Sequence, residues 1–340
     1  MVYKYPMTDL QTSANKNIAD TLTYAIEQKS TDGALVIFDT QSPLTRIITE
    51  AVRKALPNAE FLDFDTLTPE EILAAIERRE KGDLVALIQS MNFRLNEFRL
   101  RIELFKRGLK TIEFVHLARM SEDQYETYIN ALAYDPNYYR PLGKKLQEKV
   151  NRVQTVTVRC PGTELIYEGG MEEAKPNLGD YTGMTNIGGT FPIGEVFTEP
   201  KDFAGVNGSV RIFAFAGMDH CLRIFDPFMV HIEKGIIVSS DNAPQEFHEI
   251  LDLIRQDEEV MVREFGMSLN PAMGKHAIVN DVTAFERMLG LHMSLGAKHG
   301  VYNKPGIKRK TARYHIDVFI DTESILFDGE VIYEYGDYRV

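Results

Sequence analysis

Gly33-Ala-Leu-Val-Ile-Phe-Asp39, followed by Pro43 to Leu56, is the stretch on which the fold turns. The first segment is a short apolar run bounded by glycine and aspartate, which reads as a strand buried on both faces; the second has the spacing of an amphipathic helix. The same alternation continues outward. Ala59 to Phe64 reads as a second strand, Pro69 to Arg79 as a helix capped through Thr68, Asp83 to Ser90 as a third strand and Lys110 to His116 as a fourth. Strands separated by helices pair most readily as a parallel sheet covered on both faces, because each crossover helix must return the chain to the same end. The expectation is an α/β protein whose residues 1–152 form a Rossmann-like or flavodoxin-like domain. After the first strand stands Asp39-Thr-Gln-Ser-Pro43 in place of a Gly-x-Gly-x-x-Gly turn, which disfavours dinucleotide binding and leaves a scaffold or a substrate lid.

Near Arg152 the texture changes. Thr155-Val-Thr-Val-Arg-Cys160 and Glu164-Leu-Ile-Tyr167 alternate like a hairpin, and seven glycines between Gly169 and Gly194 suggest loops around a site. Val210 to Gly217, Met229 to Val238 and Arg313 to Phe319 read as strands, Pro244 to Gln256 as an acidic helix and Val282 to Leu289 as part of another. Residues 153–340 are therefore expected to be an α+β domain, and it is this half that carries the candidate chemistry.

The chain has 340 residues, 44% of them hydrophobic and 26% charged, as in ordinary globular proteins, and this length exceeds what one core usually organises. A formal charge of −12 and a pI near 5.2 argue against nucleic acid or an anionic membrane as partner, since both select a basic field. Peptides or small molecules are the expected ligands. Cys160 and Cys221 make no disulfide framework, no signal-peptide core opens the sequence, and no stretch approaches a membrane span; the expected compartment is the cytoplasm.

Six metal-competent side chains lie in the second half: Glu195, Glu264, His292, His299, His315 and Asp317, four of them within 26 residues. Imidazole and carboxylate together suit zinc, cobalt, manganese or iron. In a strand, His315 and Asp317 are i and i+2 and point to one face, so they can share an ion; the plain alternative is two polar residues facing water. His292 sits in an apolar segment where a hydrogen-bonded core histidine is the alternative. His299 follows Gly296, where the chain can turn back, but could be a solvated loop residue. Glu264 could instead pair with Arg263. Glu195, between Gly194 and Val196, would be costly to bury without a partner, and a metal would offset that cost; Glu199, before a proline, reads as a loop residue.

With Gly194-Glu-Val-Phe-Thr-Glu-Pro200, Glu264-Phe-Gly-Met-Ser-Leu-Asn-Pro-Ala272, His292-Met-Ser-Leu-Gly296 and His315-Ile-Asp317 in this order, the C-terminal half resembles the thermophilic metallo-aminopeptidases known as aminopeptidase T or aminopeptidase S. The resemblance implies two divalent ions (zinc, cobalt or manganese) held by Glu195, Glu264, His292, His315 and Asp317, hydrolysis of N-terminal residues of peptides, and a homodimer. His299 stands where better-known members have a tyrosine. Glu264 is the candidate to carry the proton from water to the leaving amine. Lys308-Arg-Lys-Thr-Ala-Arg-Tyr-His-Ile-Asp317 also looks like a segment of 2,5-dihydroxypyridine 5,6-dioxygenase, a mononuclear Fe(II) enzyme that has a histidine in place of Glu264 and no counterpart of His292. Three readings result: a dinuclear aminopeptidase, which the fuller carboxylate-rich set favours, a one-iron ring-cleaving dioxygenase, and a non-catalytic binding or biosynthetic homologue. The basic residues Lys304, Lys308, Arg309, Lys310 and Arg313 could dock a substrate carboxylate or simply form a solvated loop.

Overall fold

A computed structural model describes residues 7–95, 100–297, 302 and 313–340. The chain divides into two compact units. The first comprises residues 1–140, 179–193 and 278–284; the second comprises 141–178, 194–277 and 285–340. Two short segments from the later half of the sequence thus pack within the first unit.

The first unit is built on a parallel sheet. Ala34–Phe38, Glu60–Asp63, Leu84–Ile88 and Lys110–Phe114 pair in parallel, with Ala34–Phe38 between Glu60–Asp63 and Leu84–Ile88. Every residue of Leu84–Ile88 is buried, as the unbroken apolar run requires. The connecting helices begin where their caps dictate. Ser42 and Thr45 form a capping box ahead of Pro43–Ala55, and Thr68 with Glu71 forms another ahead of Pro69–Glu77, each satisfying first-turn amides that have no helical partner. Leu35, Ile37, Val85 and Leu87 of the sheet pack with Ile72, Ala75 and Ile76 of the second of these helices and with Leu100 and Leu104.

The glycine-rich stretch, expected as loops, adds a fifth parallel strand, Gly188–Thr190, beside Lys110–Phe114. Glycine permits this: a Cβ at Gly188, whose φ is 103°, would lie 1.8 Å from the Thr111 carbonyl oxygen.

The second unit is an antiparallel sheet of 13 strands that runs from Asp337–Tyr338 at one end to Lys175–Asn177 at the other, with Leu222–Glu233 and Ile236–Asp241 branching from Val206–Ala216. The expected hairpin Thr155–Cys160 with Thr163–Glu168 is present. Helix Gln245–Arg255 turns Phe247, Ile250, Leu251 and Ile254 inward, one face at helical spacing.

Two further expectations are corrected. Met229 to Val238 is not one strand, because Lys234 and Gly235, with φ of 51° and 75°, turn the chain between Leu222–Glu233 and Ile236–Asp241. Val282 to Leu289 is helical only over Val282–Phe285, after which the chain enters the strand Gly290–Gly296. The protein is thus mixed α/β, with a parallel sheet and a separate, mainly antiparallel one. Among the described residues no helix is long and apolar enough to cross a membrane.

A carboxylate and imidazole cluster on four antiparallel strands

Glu195–Thr198, Val262–Ser268, Gly290–Gly296 and His315–Ile320 are consecutive neighbours in the sheet. Residues opposite one another across an antiparallel pair share a face, so register alone assembles the cluster. Glu195 lies opposite Ser268, Gly266 opposite His292, Ser294 opposite Asp317, and Gly296 opposite His315. Each of these four donors thus has glycine or serine opposite it on one neighbouring strand, which leaves room on that side. Gly266 is the tightest case: a Cβ there would fall 2.1 Å from Cε1 of the His292 ring.

Glu264 reaches the same face through an irregularity. The register of Val262–Ser268 against Gly290–Gly296 shifts by one residue between Val262 and Phe265, and the amide of Glu264 donates to Ser294 Oγ at 3.1 Å. An extra residue of this kind bends a strand and re-aims a side chain.

The five side chains meet. Glu264 is central, with Oε1 3.7 Å from His292 Nε2 and Oε2 3.7 Å from His315 Nε2. Glu195 Oε1 lies 3.5 Å from His292 Nε2, and Asp317 Oδ1 lies 3.2 Å from His315 Nε2. Ligand atoms of Glu195, Glu264 and His292 all fall within 4.8 Å of one another. Four of the five are buried; the fifth is His315, whose side chain is 34% exposed and marks the open side of the cluster. His299 lies outside the described residues, as do Lys304, Lys308, Arg309 and Lys310. Arg313, the described member of that basic group, pairs with Asp257 at 2.9 Å.

Both imidazoles are oriented through their other nitrogen. His315 Nδ1 donates to the Ala297 carbonyl at 3.0 Å. His292 Nδ1 lies 3.2 Å from Ser268 Oγ, whose own proton goes to the Glu286 carbonyl at 2.5 Å, so the serine accepts from the ring. In both rings the neutral form then carries its lone pair on Nε2, facing the carboxylates, as metal-binding histidines require.

Sequence reading missed the adjoining charge. Arg287 Nη1 lies 2.7 Å from Glu195 Oε2 and 2.9 Å from Glu286 Oε1, so buried Glu195 has a protein partner and does not depend on a metal for one. The pairing of Glu264 with Arg263 is absent; Arg263 serves Gly296 O at 2.9 Å and Glu258 at 3.2 Å. Glu199, read as a loop residue, does follow the strand end but is buried. Tyr302, also buried, donates to the Glu173 carbonyl at 3.0 Å; burial, with the charges of Glu199 and Glu264 nearby, holds its phenol above the ordinary range. No spacing rule points to Arg287 or Tyr302.

The charges are strongly interdependent. Burial holds Glu195 above the ordinary carboxylate range against the pull of Arg287 and His292. Burial also acts to raise Glu264 and Asp317, but the imidazoles outweigh it and both carboxyls lie below their ordinary values. Burial alone would lower His292; the Glu264 and Glu195 carboxylates reverse this and push it up to about 9. His315 is raised in the same way, chiefly by Asp317.

These observations define the site as a buried set of three carboxylates and two imidazoles, with donor chemistry that fits a divalent cation. No protein-family model matches the chain, and no curated protein matches it by sequence. The solved structures similar to it include two that match over nearly the whole length. One is a 2,5-dihydroxypyridine dioxygenase from Pseudomonas putida KT2440, with a TM-score of 0.65, 16% identity, and coverage of 99% of this chain and 98% of that one. The other is wild-type AmpT from Thermus thermophilus, with a TM-score of 0.61, 14% identity, and coverage of 97% and 99%. The chain therefore shares its fold with representatives of both groups that its motifs resemble.

A pH dependence follows from His292. In the metal-free chain its folded-state pKa, about 9, is above the ordinary 6.5. Protonated His292 therefore stabilises the metal-free fold fully below about pH 6.5, and that contribution is lost as pH rises through about 9. Metal binding at this ring would have the opposite sign, because a histidine ligates only in its neutral form. Zinc affinity is expected to rise from pH 6.5 to 9 with release of a proton from His292, measurable by calorimetry in buffers of different ionisation enthalpy. Affinity independent of pH over this interval would remove His292 from the ligand set.

Proposed function

We propose that the protein is a metal-dependent aminopeptidase with a two-ion site. The observation that carries this reading is Glu264, whose two oxygens face two different imidazoles, each accompanied by a further carboxylate. Glu195, His292 and Glu264 Oε1 would hold one ion; Asp317, His315 and Glu264 Oε2 would hold the other. Bound there, divalent cations would acidify a water and polarise a scissile carbonyl. The protein's own contribution is to orient the donors and keep water out. Register fixes four strands' worth of donors on one face, the Nδ1 hydrogen bonds fix the two rings, and burial limits competing water. Glu264, reaching both halves from the middle of the set, is the carboxylate we assign to carrying the proton towards the leaving amine, a role it can take only when one of its oxygens is released from its ion. The partly exposed His315 marks the side from which a peptide's free amino end would enter.

Arg287 favours a second reading. It engages one oxygen of Glu195, and a site weakened on that side would suit a single iron, as in a ring-cleaving dioxygenase. The two readings separate in one assay. Chain reconstituted with zinc, cobalt or manganese should release p-nitroaniline from aminoacyl p-nitroanilides, and chain loaded with Fe(II) should consume no oxygen with 2,5-dihydroxypyridine. Oxygen uptake without anilide hydrolysis would establish the dioxygenase.

A further inference from the structure

Among the described residues, one guanidinium touches the donor set. Arg287 is mostly shielded, its side chain only 11% exposed, and a guanidinium does not give up its proton in a protein. Its place is set by the fold. The Arg287 carbonyl accepts from the Asn270 amide at 3.0 Å, and the adjoining Glu286 carbonyl accepts from Ser268 Oγ. The contact falls on one half of the cluster, where Nη1 takes Glu195 Oε2 at 2.7 Å and leaves Oε1 towards His292. No arginine or lysine pairs with Asp317 among the described residues.

We propose that Arg287 is a positioning residue that restricts Glu195 to one oxygen and places a fixed positive charge beside the Glu195–His292 half, so that the His315–Asp317 half fills first and holds its ion more tightly. This rests on the assignment of Glu195, Glu264, His292, His315 and Asp317 as metal donors. Two effects act in one direction. Glu195 cannot chelate with both oxygens while Nη1 holds one, and the guanidinium repels a dication a few ångströms away in a medium that screens poorly. The result is an ordered site, in which the second ion is exchangeable and its occupancy follows the supply of metal.

The test is calorimetric titration of the full chain, stripped with chelator, with Zn²⁺ or Co²⁺ at fixed pH. Two binding steps are expected, separated by at least about tenfold in affinity. Arg287→Met should tighten the weaker step by about tenfold or more and leave the stronger unchanged. Glu195→Gln should abolish the weaker step alone, and His315→Ala the stronger. Should Arg287→Met not fold, as judged by circular dichroism, Glu195→Gln decides by itself. Two equal steps in the unaltered chain, an unchanged gap in Arg287→Met, or loss of the stronger step in Glu195→Gln would overturn the proposal while leaving the metal site intact. Absence of any binding would instead overturn the assignment of the donors.

Discussion

Glu264→Ala should abolish both metal-binding steps together and reduce any metal-dependent hydrolysis at least about a hundredfold, a floor set by the 10–100-fold losses seen when mere outer-shell partners are removed. The reason is topological. Glu264 is the group within 3.7 Å of both imidazoles, so its loss removes a donor from each half. It also leaves His292 and His315 facing one another with less negative charge between them, which lowers the pKa of both rings from their raised values. Elemental analysis and titration on the same preparation check this. Loss of a single ion, with the other held at its original affinity, would mean that Glu264 belongs to one half only.

The second large effect is expected at a residue with no side chain. Gly266→Ala places a methyl group 2.1 Å from His292 Cε1 and 2.3 Å from Nε2, where no real Cβ contact is found. Either the ring swings out of the cluster or the strand Val262–Ser268 moves away from Gly290–Gly296. The first outcome removes a donor; the second breaks the register that aligns all of them. Overpacking of this kind costs about 1–3 kcal/mol. Thermal unfolding should show that loss, and zinc affinity should fall about tenfold or more as His292 is displaced. A variant that binds zinc normally would show that His292 is not where the site needs it.

How much of this was legible depends on the interaction concerned. The parallel sheet was, because strands such as Leu84–Ile88 are buried on both faces and announce themselves as unbroken apolar runs between capped helices. His315 and Asp317 were, because two residues apart in a strand is a local relation. Their three companions were candidates by residue type, and motif resemblance grouped them as ligands; register explains why no local pattern does so, since Glu195, Glu264 and His292 meet only through pairings of strands far apart in sequence. The irregularity that turns Glu264 inward has no glycine or proline to mark it. Arg287 was hidden by the expectation of a continuing helix; the helix stops at Phe285, and the residues after it turn into the site. The strand Gly188–Thr190 was hidden for the opposite reason, since glycines that usually signal a loop here allow close approach to a neighbouring backbone.

Arg287 also bears on how the two-ion reading should be judged. A preparation carrying one ion per chain after purification is what an asymmetric site would give, so stoichiometry at unspecified metal concentration does not separate one ion from two. Saturation does. The most direct measurement is therefore a crystal structure of the chain soaked in excess Co²⁺, with anomalous difference maps collected on either side of the cobalt edge. Two peaks are predicted, one between Glu195 and His292, the other between His315 and Asp317, with Glu264 reaching both. A single peak at saturation, or cobalt bound away from these five residues, would contradict the account.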